Sequence, residues 1–367
     1  MKFLFLAPRY HTNQIGIIRN LIKNKHKVFF NSLFKGKTED HSLLKPFHLS
    51  QSNISKFLEF FFKTKYSKIL FFPKIHQCFK IYKKINPDIA IIRFYGRLNI
   101  YLSALILKIL GTKIIFYEQA PNDFSHLKKR KIRFFLKFLE LKIQNFIYKS
   151  KWMTPIKKNN FFFKNTFFLP FIVDIKKNKR SKKNFKILII SKFQKRKSIY
   201  LALKSLLILS KEYKFNTTII GEVSTKEHKE YYLKCKNFIN KNNLNKNVKL
   251  IMNLKHNKIY NYYRNHHLFL LPAANEPASI SLLEAIGYSM PVICSDTCGT
   301  QFYVTKKFGK IFKTNQIKSL TSKIRFFLEN KKKYEKFSVN SFNYATNNLS
   351  EKNYNNYLEK HVTYKKK

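Results

Sequence analysis

At 367 residues, with 44% hydrophobic and 25% charged side chains, the chain has the composition of a folded protein of about two domains, which excludes disorder throughout. Its 73 Lys+Arg against 19 Asp+Glu give a formal charge of +54, spread as 33 basic and 8 acidic residues over 1–175 and 40 and 11 over 176–367. An excess so even and so dominated by lysine, beside 38 Phe and 21 Tyr, reads as the imprint of an AT-rich coding sequence; a dedicated nucleic-acid binder would concentrate it, so no specific nucleic-acid partner is expected.

The apolar run in Met1–Pro8 is too short for the core of a signal peptide, and nowhere do eighteen apolar residues follow one another. The expectation is a cytoplasmic protein, soluble or peripheral on the inner face of the membrane. Short β-type runs at Phe3–Ala7, Val28–Asn31, Ile89–Ile92, Lys113–Tyr117 and Thr166–Leu169 alternate with helical periodicity at Gln14–Lys23, Lys74–Ile85, Leu98–Leu110 and His126–Tyr148. Two basic-aromatic segments, Phe57–Lys74 and Leu127–Lys142, suit an anionic membrane surface if they form amphipathic helices. The stretch 175–184 is almost bare of apolar side chains and reads as a linker.

The alternation then restarts. Strands are expected at Phe185–Ile190, Thr217–Ile220, Val248–Met252, Leu268–Leu271 and Val292–Cys294, with helices at Ser198–Leu209, Lys226–Phe238, Lys258–Tyr263 and Ile280–Tyr288. Three further helices follow near Ile317–Glu329, Lys331–Asn347 and Asn353–His361. The pattern is α/β with two Rossmann-like domains in series, 1–174 and 185–345, then a helix and basic tail over 346–367. Ligands of such domains sit at the carboxyl ends of the strands, here in a cleft between the two.

Several chemistries drop out. Eight glycines are too few for dinucleotide binding, and neither G-x-G-x-x-G nor G-x-x-x-x-G-K-[ST] occurs. The five aspartates, Asp40, Asp88, Asp123, Asp174 and Asp296, form no D-x-D pair for a metal-bridged diphosphate, and there is no G-x-S-x-G nucleophile elbow. Cys78, Cys235, Cys294 and Cys298 are too scattered for a disulfide framework, and Cys294/Cys298 lack a second ligand pair for zinc. No cofactor and no metal are expected.

One stretch carries chemistry. Glu276 falls in the loop after the strand Leu268–Leu271, and Glu284 lies inside the next helix, which begins at Ser279-Ile280-Ser281. The unpaired N–H groups of that helix end form a natural diphosphate seat, with a carboxylate on either side to hold sugar hydroxyls. Glu222/Glu230 and Glu351/Glu359 share the spacing but straddle no strand–loop–helix junction.

Here the sequence resembles a family. The block Glu276-Pro277-Ala278-Ser279-Ile280-Ser281-Leu282-Leu283-Glu284-Ala285, with Met290-Pro291-Val292-Ile293 after it, resembles the signature of glycosyltransferase family 4. Members are retaining, metal-independent enzymes of GT-B fold that use nucleotide-sugar donors. The resemblance implies a GT-B architecture, two Rossmann-like domains facing across a cleft with the C-terminal helices packing back toward the first. It puts Glu276 near the hexose, Glu284 on the ribose and Ser279, Ile280 and Ser281 at the diphosphate. Ile190–Ser198 is similar to the family's Gly-Arg-Leu…Lys-Gly segment, with Lys192 in the Arg place and Lys197 in the Lys place, both directed at the donor phosphates. Ile219-Ile220-Gly221-Glu222 resembles the turn near the nucleobase, Leu169–Asp174 the segment closing the first domain, and Gly299-Thr300 the end of the donor block.

The first domain departs from the pattern. Pro8–Gln14 replaces a Gly-Gly loop, leaving Arg9, His11 and Asn13 as acceptor-side candidates. Tyr117-Glu118-Gln119 stands where many relatives carry a His, so Glu118 is the candidate catalytic group there. The implied activity is sugar transfer from a nucleotide-sugar to a glycan or lipid-linked acceptor with retention, in bacterial surface polysaccharide or lipopolysaccharide synthesis. The alternatives are a catalytically idle scaffold binding RNA or other polyanions, and a phosphorylase-like or donor-hydrolysing enzyme.

Overall fold

Pro170 is the point at which the chain passes from one compact unit to another in the computed structural model; the first unit covers Met1–Leu169 apart from residues 37–40. The structure describes residues 1–10, 12–33, 39, 41–61, 71–93, 98–119, 142, 151–157, 165–181 and 184–362.

The first unit is built on a six-stranded parallel sheet in the order β2-β1-β3-β4-β5-β6. Its strands are β1 (Lys2–Ala7), β2 (Lys27–Ser32), β3 (Ile89–Arg93), β4 (Lys113–Tyr117), β5 (Lys151–Thr154) and β6 (Thr166–Phe168). Phe3 sits opposite Val28 on one side and Ile89 on the other. Alternating side chains Leu4 and Leu6, Ala90 and Ile92 share a face with Phe116 and Trp152 and bury Tyr82, Ala104 and Leu107 from the helices Ile75–Ile85 and Leu98–Ile109. Continuous apolar runs are what parallel strands covered on both faces require.

The second unit repeats the plan with β12-β11-β10-β7-β8-β9, again parallel. These are β7 (Lys186–Ile190), β8 (Asn216–Gly221), β9 (Val248–Met252), β10 (Leu268–Leu271), β11 (Val292–Ser295) and β12 (Gly309–Phe312). Ile187, Ile189, Ile219, Leu268, Leu270 and Ile293 pack with Leu203 and Leu206 of the helix Ile199–Ser210 and Leu320 and Ile324 of the helix Ile317–Glu329. The helix Tyr334–Asn348 is fastened within this unit: Ser341 Oγ donates to the carbonyls of Ile286 (3.2 Å) and Met290 (2.8 Å).

The stretch expected as a linker is laid along the second unit. Lys176 N donates to Gly287 O at 2.8 Å, and the buried Arg180 guanidinium donates to the carbonyls of Tyr263 (2.9 Å) and Ser289 (3.2 Å) and to Tyr334 Oη (2.8 Å). A side chain chosen for charge thus closes several backbone groups that burial would otherwise leave unpaired.

Most elements fall where periodicity expects them. Strands β5 and β12 were not expected; of the segment Phe57–Lys74, read as helical on condition, Phe57–Phe61 form the end of the helix Asn53–Phe61 and residues 62–70 lie outside the described residues. Lys-Trp-Met-Thr and Gly-Lys-Ile-Phe each offer four residues without a Val/Ile run, too short to show a period; only neighbouring strands make them strands. The helix expected over His126–Tyr148, and the segment Leu127–Lys142 within it, lie outside the described residues apart from Lys142.

Each sheet has one point where chain order reverses. β1 and β2 run outward before β3 returns to the other side of β1, and β7, β8 and β9 run outward before β10 pairs with the far side of β7. The loops leaving the carboxyl ends of β7 and β10 flank such a switch point, where open α/β sheets hold ligands.

Candidate functional site

The site of the second unit is assembled from four loops. After β7 the chain passes through a 3₁₀ turn, Lys195–Lys197, and leaves it at Ser198 with a φ of 50°. The loop after β10 is tied to it by Ala274 N donating to Arg196 O at 2.9 Å, and to the loop after β11 by Asn275 N donating to Thr297 Oγ1 at 3.0 Å. Gly299 N donates to Glu276 O at 2.7 Å, so the Glu276 backbone is held by the β11 loop. The β8 loop closes the set through Gly221. A Cβ there would lie 2.4 Å from Ser191 O and 2.6 Å from the Phe193 ring, so no larger residue fits without moving the β7 loop.

Glu276 is the centre of the charge arrangement. It is 9% exposed, and Oε2 accepts from Arg196 Nη1 at 2.7 Å and from Lys197 Nζ in a still closer contact. Burial alone pushes the Glu276 carboxyl up, but Lys197 and Arg196 outweigh it and hold the group below its ordinary value. Burial likewise pushes the Lys197 ammonium down, partly offset by the Glu276 charge. The result is a carboxylate that stays ionised at neutral pH, fixed by two cations at the end of β10.

Lys192 pairs with Glu222 Oε2 at 2.9 Å across the β7 and β8 loops. Ser279 caps the helix Ile280–Gly287, its Oγ accepting from Leu282 N at 3.3 Å, and Ser281 Oγ lies 3.1 Å from Ser279 Oγ. In the next turn of that helix, Glu284 Oε2 accepts from the buried Tyr263 hydroxyl at 2.8 Å, and Oε1 is 3.5 Å from His256 Nε2. Burial and the adjacent Glu284 charge push the Tyr263 hydroxyl well above its ordinary pKa, so it remains a donor. Thr300 is wholly buried, with Oγ1 3.2 Å from Cys298 Sγ, so its side chain lies inside the β11 loop.

The structure therefore brings Lys197 and Glu276 together, pairs Lys192 with Glu222, and puts Ser279, Ile280, Ser281 and Glu284 on one short helix. Among the described residues, no cluster of three His, Cys, Asp or Glu side chains is placed to hold a metal ion.

The remaining candidates belong to the first unit. Arg9 is half-buried in the loop after β1, and His11 lies outside the described residues. Asn13, near the start of the helix Thr12–Lys23, is buried, and its Oδ1 has no hydrogen-bond partner among the described residues. Glu118 follows β4 and accepts the Gln119 N–H at 2.8 Å, while Arg93 Nη2 donates to Gln119 Oε1 at 2.9 Å.

Sequence reasoning missed Arg196, Tyr263 and His256. A 3₁₀ turn spreads consecutive side chains about 120° apart, so nothing local says that Arg196 and Lys197 converge on one carboxylate. Tyr263 reaches Glu284 from another helix, the tertiary contact of a residue whose own pattern says only core.

The fold that carries this arrangement is found in solved structures. The whole chain shares its fold with Anabaena HepE in complex with UDP and glucose (13% identity, TM-score 0.75, 99% of both chains covered). It also shares it with TarM of S. aureus in complex with Fondaparinux, alpha-GlcNAc-glycerol and UDP (13%, 0.71, 99% of this chain and 100% of that one). A third similar structure is the lipopolysaccharide outer core galactosyltransferase WaaB (13%, 0.66, 99% of each). The fold is thus the two-domain GT-B fold. In sequence, residues 171–344, just under half of the chain, match the family described as "Glycosyl transferases group 1", a stretch that holds every site residue of the second unit. No curated protein matches the chain.

Proposed function

We propose that the protein is a retaining hexosyltransferase, moving a sugar from a nucleotide-sugar donor to a glycan or lipid-linked acceptor. The observation that carries this is the buried Glu276 carboxylate held by Lys197 and Arg196, beside the capped helix end Ser279–Ser281, at the switch point of the second sheet. Glu276 orients the sugar and Glu284, set by Tyr263, takes the ribose hydroxyls. In the transfer the C1–O bond to the diphosphate breaks, and the acceptor oxygen bonds C1 on the same face. The acceptor proton passes to the departing phosphate oxygen. The charge that develops on the diphosphate is met by preorganised cations and helix N–H groups, which act strongly in a water-poor site. Family 4 membership and a metal-independent, front-face course belong to the same proposal, with Glu118, Arg9, His11 and Asn13 serving the acceptor.

The acceptor is assigned to bacterial surface polysaccharide or lipopolysaccharide, handled in the cytoplasm at the inner face of the membrane. Supporting this, the first unit exposes Phe57 (64%) and Phe60 (84%), with Ile54 and Phe61, on the helix Asn53–Phe61. The next helix, Ile75–Ile85, adds exposed Ile75 and Phe79 beside Lys80, Lys83 and Lys84. Exposed aromatic rings next to lysines suit an anionic bilayer.

The test is nucleotide release from UDP-, GDP-, ADP- and CMP-sugars in the presence of bacterial lipid and glycan extracts. Turnover with one donor, abolished in Glu276→Ala, is expected, with the product linkage retaining the donor's anomeric configuration by NMR. Folded protein that turns over no donor yet binds RNA with a steep salt dependence would establish the idle polyanion-binding scaffold instead.

A further inference from the structure

We propose that Arg180 is a positioning residue for the donor's ribose, fixing the Tyr263–Glu284 pair through the backbone on both sides of it. The assignment rests on the reading above that Glu284 takes the ribose hydroxyls. Arg180 lies in the stretch 175–184, between β6 and β7, and its guanidinium uses every Nη hydrogen on the second unit. Nη1 donates to Tyr334 Oη at 2.8 Å and Ser289 O at 3.2 Å, and Nη2 to Tyr288 O at 2.5 Å and Tyr263 O at 2.9 Å. Four donors held in one plane are what a guanidinium offers and an ammonium does not. Among the described residues no carboxylate pairs with it, so a cation is taken out of water with carbonyl and hydroxyl oxygens alone around it.

The backbone contacts fall at the ends of two helices. Tyr263 O belongs to the last turn of the helix His256–Asn265, and Tyr288 and Ser289 form the turn that ends the helix Ile280–Gly287. Arg180 thus satisfies carbonyls that helix ends leave open and sits at the negative end of both dipoles. The same two helices meet at Glu284. Tyr263 Oη donates to Glu284 Oε2 at 2.8 Å, Glu284 O accepts Tyr288 N at 2.9 Å, and Arg180 Nη2 joins Tyr288 O to Tyr263 O. These bonds close a ring whose one carboxylate is Glu284 and whose one link from outside the two helices is Arg180. His256, in the first turn of its helix, lies 3.5 Å from Glu284 Oε1, so the helix that Arg180 grips supplies partners to both carboxylate oxygens. The Tyr288 ring stacks on Tyr263 with centroids 5.5 Å apart, which stiffens the same pair. A carboxylate binds vicinal hydroxyls best when its orientation is fixed beforehand, and the ring fixes it from the backbone.

The experiment is calorimetric titration of UDP, GDP, ADP and CDP, then of the 2′,3′-dideoxy analogue of whichever binds best. The proteins are wild type, Arg180→Met, Arg180→Lys, Tyr263→Phe and the double variant Arg180→Met/Tyr263→Phe, each checked for folding by circular dichroism. The readout is the preference for ribose, the ratio of the two affinities, which a loss of stability alone does not move. In Arg180→Met that ratio falls about three- to ten-fold, while affinity for the dideoxy analogue changes less than about two-fold. Arg180→Lys, whose ammonium does not reproduce the planar fork, recovers only part of the ratio and carries the comparison if Arg180→Met does not fold. The double variant loses no more than the worse of its single variants, because both act through one carboxylate. A ratio unchanged in the folded Arg180 variants, an equal loss for both nucleotides, or single effects that multiply in the double variant overturns the Arg180 assignment and leaves the donor reading standing. Wild type that binds a diphosphate without preferring ribose overturns the placing of Glu284 on the ribose, and this assignment with it. Wild type that binds none of the four overturns the donor reading itself.

Discussion

Replacing Lys197 by Met removes the nearer counter-ion of a carboxylate that is 9% exposed, and the cost should depend on pH in a defined direction. Breaking a fully buried pair by deleting one partner costs about 3–5 kcal/mol, whereas an exposed pair is worth about 0–1. Glu276 keeps Arg196, but that side chain is 44% exposed and its charge is screened, so the expected loss is about 2 kcal/mol at pH 7. For a unit of this size that lowers Tm by about 4–8 °C. In the wild type Glu276 has a folded pKa below the ordinary 4.5, so its contribution is fully present above that value and is lost as pH falls through the folded one. In Lys197→Met, burial is opposed by Arg196 alone, so the folded pKa rises and the carboxylate protonates earlier. The deficit against wild type should therefore be largest near neutrality and close as pH falls through the wild-type folded pKa, below the ordinary carboxylate value. Scanning calorimetry of the second unit's transition from pH 3.5 to 7.5 measures this, with Glu276→Gln and the double variant completing a cycle. A deficit independent of pH, or additive single effects, would refute the electrostatic reasoning.

Gly221→Ala should displace the β7 loop, because its Cβ meets Ser191 O; about 1–3 kcal/mol of stability should go, with a weaker donor Kd, both read by melting and titration. Tyr263→Phe leaves one Glu284 oxygen without its 2.8 Å donor and should raise donor Kd several-fold with about 1 kcal/mol of stability lost; an unchanged Kd would remove Glu284 from the ribose. Phe57→Ser/Phe60→Ser should abolish sedimentation with phosphatidylglycerol vesicles while leaving donor binding intact; equal wild-type binding to phosphatidylcholine vesicles would argue against an anionic bilayer as the partner.

The sheets were legible because parallel strands buried on both faces must be nearly continuous apolar runs, as in Phe185–Ile190 and Leu268–Leu271. Glu276 and Glu284 were legible because the strand–loop–helix context around them is local. What failed to show was tertiary. Strands β5 and β12 owe their conformation to neighbours, and the partners that set the two carboxylates come from other loops and helices. The lysine at 192 looked like the replacement for an arginine. Its pairing with Glu222, and the convergence of Arg196 on Glu276, depend on where the β7 loop meets the β8 and β10 loops above the sheet.

The most direct test of the central claim is calorimetric titration of UDP-, GDP-, ADP- and CMP-sugars into the protein in EDTA, beside Glu276→Ala and Lys197→Ala. The account predicts one preferred nucleotide, bound without added metal, and weakened at least ten-fold in Lys197→Ala, with Glu276→Ala losing the contribution of the sugar. Folded wild type that binds no nucleotide-sugar, or binds one equally well in both variants, would contradict it.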